Sequence, residues 1–176
     1  SKNGLSFIYD HLSKKEKQLW FSTMNKSPIK RHKALQNLSR EHHDGLVFAL
    51  RLQKGVAKKA DIRSMEAYTD WFWEDHLKPH FKMEEEYLFP KYGLDKKLVK
   101  KAKQQHQDLA SLFAISSKSY QDFKKIYTLL QQHIRLEERE LFMDIQERLN
   151  ETELAEFERI HTAQNTCENW SDRFWA

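Results

Sequence analysis

The sequence predicts an all-α protein, because few helix-breaking residues interrupt it and its apolar residues recur at helical spacing. Only 4 glycines and 3 prolines occur among 176 residues, and residues that favour helices, such as Leu, Lys, Glu and Gln, are abundant. In four long stretches, apolar side chains lie three and four positions apart, as on one helix face. Because short connections make consecutive helices antiparallel, we predict an up-down-up-down antiparallel four-helix bundle with short extra helices at both ends.

The N-terminal residues are predicted to form a preamble to this bundle. Ser13 and Glu16 have the spacing of a capping box, which predicts a short helix through Trp20. Pro28 then separates that helix from the main body. The predicted organisation is a preamble at 1–30, the bundle at 31–150, and a C-terminal helix with an aromatic tail at 151–176.

Glycine and proline set the predicted bounds of the first two long helices. The first is predicted from about 34 to 54, with Gly55 as its C-terminal cap. The second is predicted from about 61 to 89, because Pro90 cannot continue the hydrogen bonding of a helix. Pro79 lies inside the second helix, where it predicts a local kink.

Capping signals mark the later helices. Asp95 is a favourable N-cap for the third helix, and the fourth is predicted from about 120 to 149. Asn150 and Glu153 have capping-box spacing, which predicts a shorter fifth helix. The aromatic residues of the tail are apolar enough to dock on the bundle or on a partner, and both alternatives stay open: Trp170, Phe174 and Trp175.

Charge and composition exclude several partners. The net charge is +4, but Lys and Glu are mixed as on solvent-exposed helix faces, so we expect no nucleic-acid partner. No apolar run approaches the roughly 20 residues that span a bilayer, and the N-terminus lacks the apolar core of a signal peptide. The single cysteine, Cys167, cannot form an internal disulfide. We therefore expect a cytoplasmic protein with no membrane partner.

A ten-residue pattern that occurs twice is the strongest functional signal. The order His, apolar, basic, apolar, Glu, Glu, two variable residues, Leu, Phe is found at 80–89 and at 133–142. Residues four apart project from the same helix face, so His80 points with Glu84 and His133 with Glu137. Each repeat therefore aims an imidazole and a carboxylate at one point in the bundle.

Two further histidines lie on the apolar stripes of the first and third helices. At about 100° per residue, the average direction of the first stripe lies within roughly 20° of His42, whereas His43 points to its edge. His106 lies between Ala102 and Ala110, which leave room for a metal centre. Counted along antiparallel helices, these histidines and the two repeats fall at a similar depth.

A metal site explains this set of residues better than six ordinary core positions do. A lone buried histidine is more often a core residue than a ligand. Four imidazoles and two carboxylates meeting without a cation would however leave charged groups uncompensated, at a cost of several kcal/mol. The predicted ligands are His42, His80, Glu84, His106, His133 and Glu137.

The ligand types favour iron, with manganese or zinc as weaker alternatives, because imidazole and carboxylate occur without thiolate. Six side chains exceed the needs of one ion that keeps an open position. Two ions can instead share Glu84 and Glu137 as bridges and take two imidazoles each. The sequence thus predicts two iron ions in a carboxylate-bridged, non-haem di-iron centre.

These residues resemble the hemerythrin family and its HHE cation-binding domains. The similarity extends over about 29–149, and its specific parts are Glu41-His42, the two His-x-x-x-Glu-Glu repeats and the single His106. The resemblance implies a four-helix bundle with a di-iron centre that binds dioxygen. Relatives serve in oxygen, iron or nitric-oxide sensing and in iron-centre repair.

The chain departs from the oxygen carriers of that family. Carriers have two histidines four residues apart on the third helix, whereas His106 has Ala102 and Ala110 at those distances, and carriers use a longer His-to-Asp spacing on the fourth helix. The chain is closer to the four-histidine variants. One nitrogen ligand fewer implies a second open metal position, which argues against reversible oxygen carriage and allows oxidation or peroxide chemistry.

Two functional classes stay open. One is a di-iron protein that binds dioxygen or a related small molecule, such as nitric oxide or peroxide, for storage, sensing or iron homeostasis. The other is a di-iron oxidase or peroxidase. Ferritin-like sites use Glu-x-x-His, whereas this chain has His-x-x-x-Glu, so the sequence favours the first class. A metal-free helical interaction module is supported only by the C-terminal aromatic residues.

Three more residues are candidates for supporting roles. His76 lies one turn before the first repeat and faces the same way, so it is either a hydrogen-bond donor behind the ligands or an additional ligand. Glu85 and Glu138 are rotated by about 100° from the glutamates before them, which predicts a place outside the ligand set. His161 is predicted to lie on the surface.

Overall fold

The computed structural model describes residues 29–161 and 170–176. The chain divides into two compact units, Ser1–Lys30 and Arg31–Ala176, and the predicted N-terminal helix lies outside the described residues. The described part is all-helical, as predicted, with helices and turns but no β-strand. Among its helices, none has both the length and the hydropathy needed for crossing a bilayer.

The first long helix, α1, spans Gln36–Lys58 and follows a short 3-10 turn. The predicted cap at Gly55 is wrong, because the helix continues to Lys59, whose φ of 53° is left-handed and whose N–H bonds the carbonyls of Gly55 and Val56. Gly55 instead makes room for the tail. A Cβ atom at Gly55 would lie 2.8 Å from Cε2 of Phe174.

The second long helix, α2, spans 62–92 and contains two π-helical turns. Its predicted end at Pro90 is wrong. The N–H of Phe89 bonds the carbonyl of Glu84 across a π turn. Pro90 therefore lies in the first turn of a new α-helical segment. Proline is tolerated there, because residues of the first turn need no N–H for the hydrogen bonds of the helix. A π turn likewise precedes Pro79. The consecutive segments are Ile62–Phe72, Trp73–Leu77 (π), Lys78–Met83, Glu84–Leu88 (π) and Phe89–Tyr92.

Three helices complete the described fold. Helix α3 spans Lys97–Phe113 with Lys96, rather than the predicted Asp95, at the N-cap position. Helix α4 spans 120–148 and consists of Tyr120–Leu136, the π turn Glu137–Leu141 and Phe142–Arg148. The predicted capping box of Asn150 and Glu153 is confirmed and opens α5, Glu151–Ile160.

The core of the described residues consists of two apolar clusters. Both repeats lie at their boundary, because Phe89 and Phe142 belong to the first cluster and Phe81 and Ile134 to the second. The first cluster includes Leu38, Leu88 and Phe142, together with Leu154 and Phe157 of α5. The second includes the stacked pair Phe48 and Phe72, and the aromatic tail packs against it. Helix α4 packs against both α1 and α3. The aromatic tail docks on the chain itself, because Trp170, Phe174 and Trp175 all contact the ring of Tyr68. Trp170 also contacts Trp71.

Candidate metal centre

Six buried side chains from the four long helices meet at the boundary of the two clusters. Each is at most 5% exposed. Their ligand atoms form two groups, and within each group all atoms lie within 4.8 Å of one another. The first group is His42, His80, Glu84 and Glu137, and the second is His106, His133, Glu84 and Glu137. The structure therefore brings together all six residues that the sequence singled out, with two imidazoles in each group and two carboxylates common to both.

The interatomic distances show that the Glu84 carboxylate lies between the two groups. The Nε2 atoms of His42 and His80 are 3.0 Å apart, and those of His106 and His133 are 3.2 Å apart. The two oxygens of Glu84 lie 3.2 Å from Nε2 of His80 and 3.3 Å from Nε2 of His106. One carboxylate thus faces both groups, as a bridging ligand must.

Glu137 lies between the groups in the same way. Its Oε2 atom is 3.0 Å from Nε2 of His42 and 3.4 Å from Nε2 of His133, and its Oε1 atom is 3.6 Å from Nε2 of His106. Burial alone would raise the pKa of Glu137, but His133, His106 and His42 lower it well below its usual value. The carboxyl group is therefore an anion at neutral pH.

The buried carboxylate oxygens fit a pair of cations. All four oxygens of Glu84 and Glu137 are buried and accept no hydrogen bond from the described residues. Leaving such charges unpaired in a core is strongly destabilising. Metal ions placed between these oxygens and the inward Nε2 atoms would satisfy both, so the donor set fits a two-metal centre of imidazole and carboxylate ligands.

The π turns explain why the repeated pattern extends beyond the histidine and the glutamate. Glu84 and Glu137 are each the first residue of a π turn, which ends at Leu88 or Leu141. The wider turn contains an extra residue, yet the leucine that ends it and the phenylalanine that follows it are both buried. The sequence repeat is therefore a structural repeat. Regular helical periodicity does not predict a π turn. The repeated pattern is therefore the only sequence signal for these two turns.

A closed ring of hydrogen bonds surrounds the six side chains. Each histidine donates from Nδ1 to a side chain of the preceding helix, and His42 of the first helix, α1, donates to the last, α4. The partners are Glu138 for His42, Glu41 for His80 and Glu85 for His106, each at 2.7 Å, and Gln105 for His133 at 3.1 Å. Since Nδ1 donates outward, Nε2 is the ring nitrogen that faces the centre, and it can bind a metal when it carries no proton.

Glu85 and Glu138 therefore lie outside the ligand groups and hold histidines, whereas Glu41 and Gln105 were not predicted as histidine partners. One signal could have found them. Each of the four outer partners adjoins a residue of the inner groups in the sequence: Glu41 precedes His42, Glu85 follows Glu84, Gln105 precedes His106, and Glu138 follows Glu137.

Electrostatics keep the outer carboxylates charged. Burial would raise the pKa of Glu41, but hydrogen bonds from His161 and His80 lower it to about 2. Burial would also raise the pKa of Glu138, which His42 and Ser39, together with the Arg31 guanidinium, bring to about 2. Both remain acceptors for Nδ1 protons at all ordinary pH values.

Metal binding is expected to release at least one proton per chain at about pH 7.5. Burial lowers the pKa of His106, but Glu137, Glu84 and Glu85 outweigh it and raise the pKa to about 10. Without an ion, His106 is therefore protonated at this pH, and Nε2 must lose its proton before it can bind a metal. Metal affinity should rise with pH up to about 10. Titration calorimetry in buffers of different ionisation enthalpy measures the released protons, and a heat independent of the buffer would contradict this expectation.

The structure places the two histidines that the sequence left open, His43 and His76, and one that it predicted at the surface, His161. His43 is exposed, and His42 is the buried histidine of α1. His76 is outside both groups and stacks on Phe72 at 4.7 Å between ring centroids. The predicted surface position of His161 is wrong, because α5 carries it to the outer oxygen of Glu41, and it is only 5% exposed.

Comparison with known proteins identifies the family. The family model described as the Hemerythrin HHE cation binding domain matches residues 33–145, a range that contains all six inner residues and their four outer partners. Searches of curated proteins and of solved structures give no match. The all-helical fold and the buried groups capable of holding a metal agree with that family. The chain therefore belongs to the hemerythrin family of HHE cation-binding domains.

Proposed function

We propose that this protein binds two iron ions in a non-haem, carboxylate-bridged centre. The proposal rests on one observation: two groups of buried ligands share two carboxylates whose oxygens have no hydrogen-bond partner among the described residues. His42 and His80 would hold one ion, and His106 and His133 the other. Glu84 and Glu137 would bridge them. Iron is preferred over manganese or zinc because the ligands are imidazole and carboxylate without thiolate.

The proposed scaffold is the up-down-up-down arrangement of α1 to α4. The ring of outer hydrogen bonds supports it, since each bond joins helices that are consecutive or, for α4 and α1, terminal. On this proposal, 31–150 is the metal-binding bundle and 151–176 adds a helix and a tail to it. The location proposed is the cytoplasm.

The proposed function is the binding of dioxygen or a related small molecule, such as nitric oxide or peroxide, for storage, sensing or iron homeostasis. When bound, the two ions supply exchangeable electrons and open coordination positions. The protein residues hold the ions, orient the imidazoles through Glu41, Glu85, Gln105 and Glu138, and keep bulk water out of the core.

The test combines metal analysis with oxygen exposure. Protein purified without oxygen is expected to contain about two iron ions per chain and to change its absorption spectrum when oxygen is added. Fewer than about one iron per chain, with other metals also absent, would exclude the di-iron centre. An unchanged spectrum with iron still bound would exclude the dioxygen role.

The same experiment separates binding from catalysis. After oxygen is removed, return of the starting spectrum means reversible binding. Accumulation of hydrogen peroxide, or repeated turnover with an added reductant, would instead make the protein a di-iron oxidase or peroxidase, which is the alternative function.

A further inference from the structure

A small cavity lies beside the first group of ligands. Its volume is about 70 Å³, and its walls include His42, His80 and His133 but neither Glu84 nor Glu137. A second opening, near Trp73 and Lys82, includes only His106 of the six inner residues. The first cavity is therefore the one through which a small molecule could approach the His42 and His80 side of the centre.

His161 contributes a polar side chain to the wall of this cavity, although it lies outside the part of the chain that the family model matches. It follows α5 and lies beyond the matched range 33–145. Two hydrogen bonds fix it: its carbonyl accepts from Nδ2 of Asn37 at 3.2 Å, and its Nε2 atom bonds Oε1 of Glu41 at 3.0 Å. The other oxygen of Glu41 accepts from Nδ1 of His80. The bond to Glu41 sets the orientation of the His161 ring, and the bond from Asn37 holds its backbone.

The remaining ring nitrogen of His161 is buried without a hydrogen-bond partner among the described residues. When Nε2 of a neutral imidazole donates, as Nε2 of His161 can to the Glu41 carboxylate, its Nδ1 atom carries the lone pair and accepts. A buried acceptor left unsatisfied is destabilising. His161 is one of the residues that line the cavity, and a donor held there within reach of Nδ1 would satisfy this atom.

We propose that His161 is a ligand-binding residue of this cavity, whose Nδ1 atom accepts a hydrogen bond from a small molecule bearing an O–H group, such as hydrogen peroxide. The cavity has about half the volume of the roughly 150 Å³ cavity known to hold benzene, which limits the ligand to about two to four heavy atoms. This inference rests on the proposed function and selects peroxide from the ligands considered there, since dioxygen and nitric oxide carry no O–H group.

The test uses two substitutions that separate the two nitrogens of His161. In His161→Gln, the terminal amide lies near the position of Nε2 and can still bond Glu41, but nothing replaces Nδ1. In His161→Asn, the amide lies near the position of Nδ1 and contact with Glu41 is lost. The iron-loaded, oxidised proteins are mixed with hydrogen peroxide or with azide, which has no hydrogen to donate, and affinities are read from stopped-flow absorbance. His43→Gln, at an exposed position, is the matched control.

We expect His161→Gln to weaken peroxide binding by about fivefold to tenfold and to leave azide binding within about twofold of the wild type. His161→Asn should keep peroxide affinity within about threefold, and His43→Gln should change neither affinity. Unchanged peroxide binding in His161→Gln would overturn the proposal, and would mean that water alone occupies the site. An equal loss for both ligands, or a loss confined to His161→Asn, would also overturn it and make His161 a positioning residue for Glu41.

Iron content and melting temperature, measured for every variant, separate this proposal from the proposed function. If the wild-type protein holds another metal or none, the di-iron proposal fails by itself. The peroxide and azide affinities are then compared by calorimetry on the protein as purified, with the same expected pattern. If His161→Gln does not fold, His161→Phe, which lacks both nitrogens, is compared with His161→Asn, which lacks only the contact with Glu41.

Discussion

Replacing Glu137 with Gln is expected to reduce the bound metal from about two ions per chain to less than one. Glu137 belongs to both groups of ligands, so its substitution removes a negative ligand from each ion. Losing even an outer hydrogen-bond partner of a ligand weakens metal binding by about 10-fold to 100-fold, and a shared carboxylate should matter more. Metal content after desalting, measured by mass spectrometry, gives the result.

Glu140→Gln is the control for this substitution. Glu140 lies on the same π turn but is exposed, so the variant loses the same charge without touching the site. It should retain about two ions per chain. A Glu137→Gln protein that also retains two ions would show that this carboxylate is not a ligand.

Removing the metals from the wild-type protein is expected to lower its melting temperature by about 10 °C or more. Each ion, at a free concentration about 100 times its Kd, stabilises the folded state by about 2.7 kcal/mol. For a chain of this size, 1 kcal/mol shifts the melting temperature by about 2–4 °C. Chelation also removes the cations from the buried oxygens of Glu84 and Glu137, which accept no hydrogen bond from the described residues. Circular dichroism melting curves with and without chelator measure the difference.

A second substitution, compared in the two states, checks the cause. In the loaded protein, Glu84→Gln should lower the melting temperature strongly, because it removes a shared ligand. In the chelated protein, the same change should lower it less, because no metal ligand is lost, although protonated His106 loses one of its buried carboxylate partners. The control Glu86→Gln changes an exposed glutamate two residues away and should have little effect in either state. If chelated and loaded wild-type proteins melt together, the carboxylates are stabilised by something other than metal.

Helix boundaries were the part of the fold least determined by the sequence. Glycine is common just after a helix end, so Gly55 was predicted as a cap. In the structure, Phe174, which is distant in the sequence, occupies the space that a Cβ atom at Gly55 would need. Pro90 signals a helix end, yet the π turn at Glu84 lets the helix continue to Tyr92. Both errors arise because a propensity describes one residue, whereas packing and an altered hydrogen-bond register depend on neighbours.

The inner residues of the site were easier to infer than its surroundings. His80 with Glu84, and His133 with Glu137, are related by one helical turn, so their common direction follows from helix geometry. His161 shows the opposite case. Its sequence neighbourhood is polar, and the contact with Glu41 that buries it joins residues 120 positions apart.

The sequence by itself determined the all-helical class, the apolar faces of the helices and the six side chains that can bind metal, because each follows from periodicity within one helix. Only the tertiary structure decided which residues stand behind the histidines, where the cavity opens and that His161 reaches it. These features depend on how separate helices lie side by side. That arrangement is set by the packing of whole surfaces and not by the spacing within any one segment.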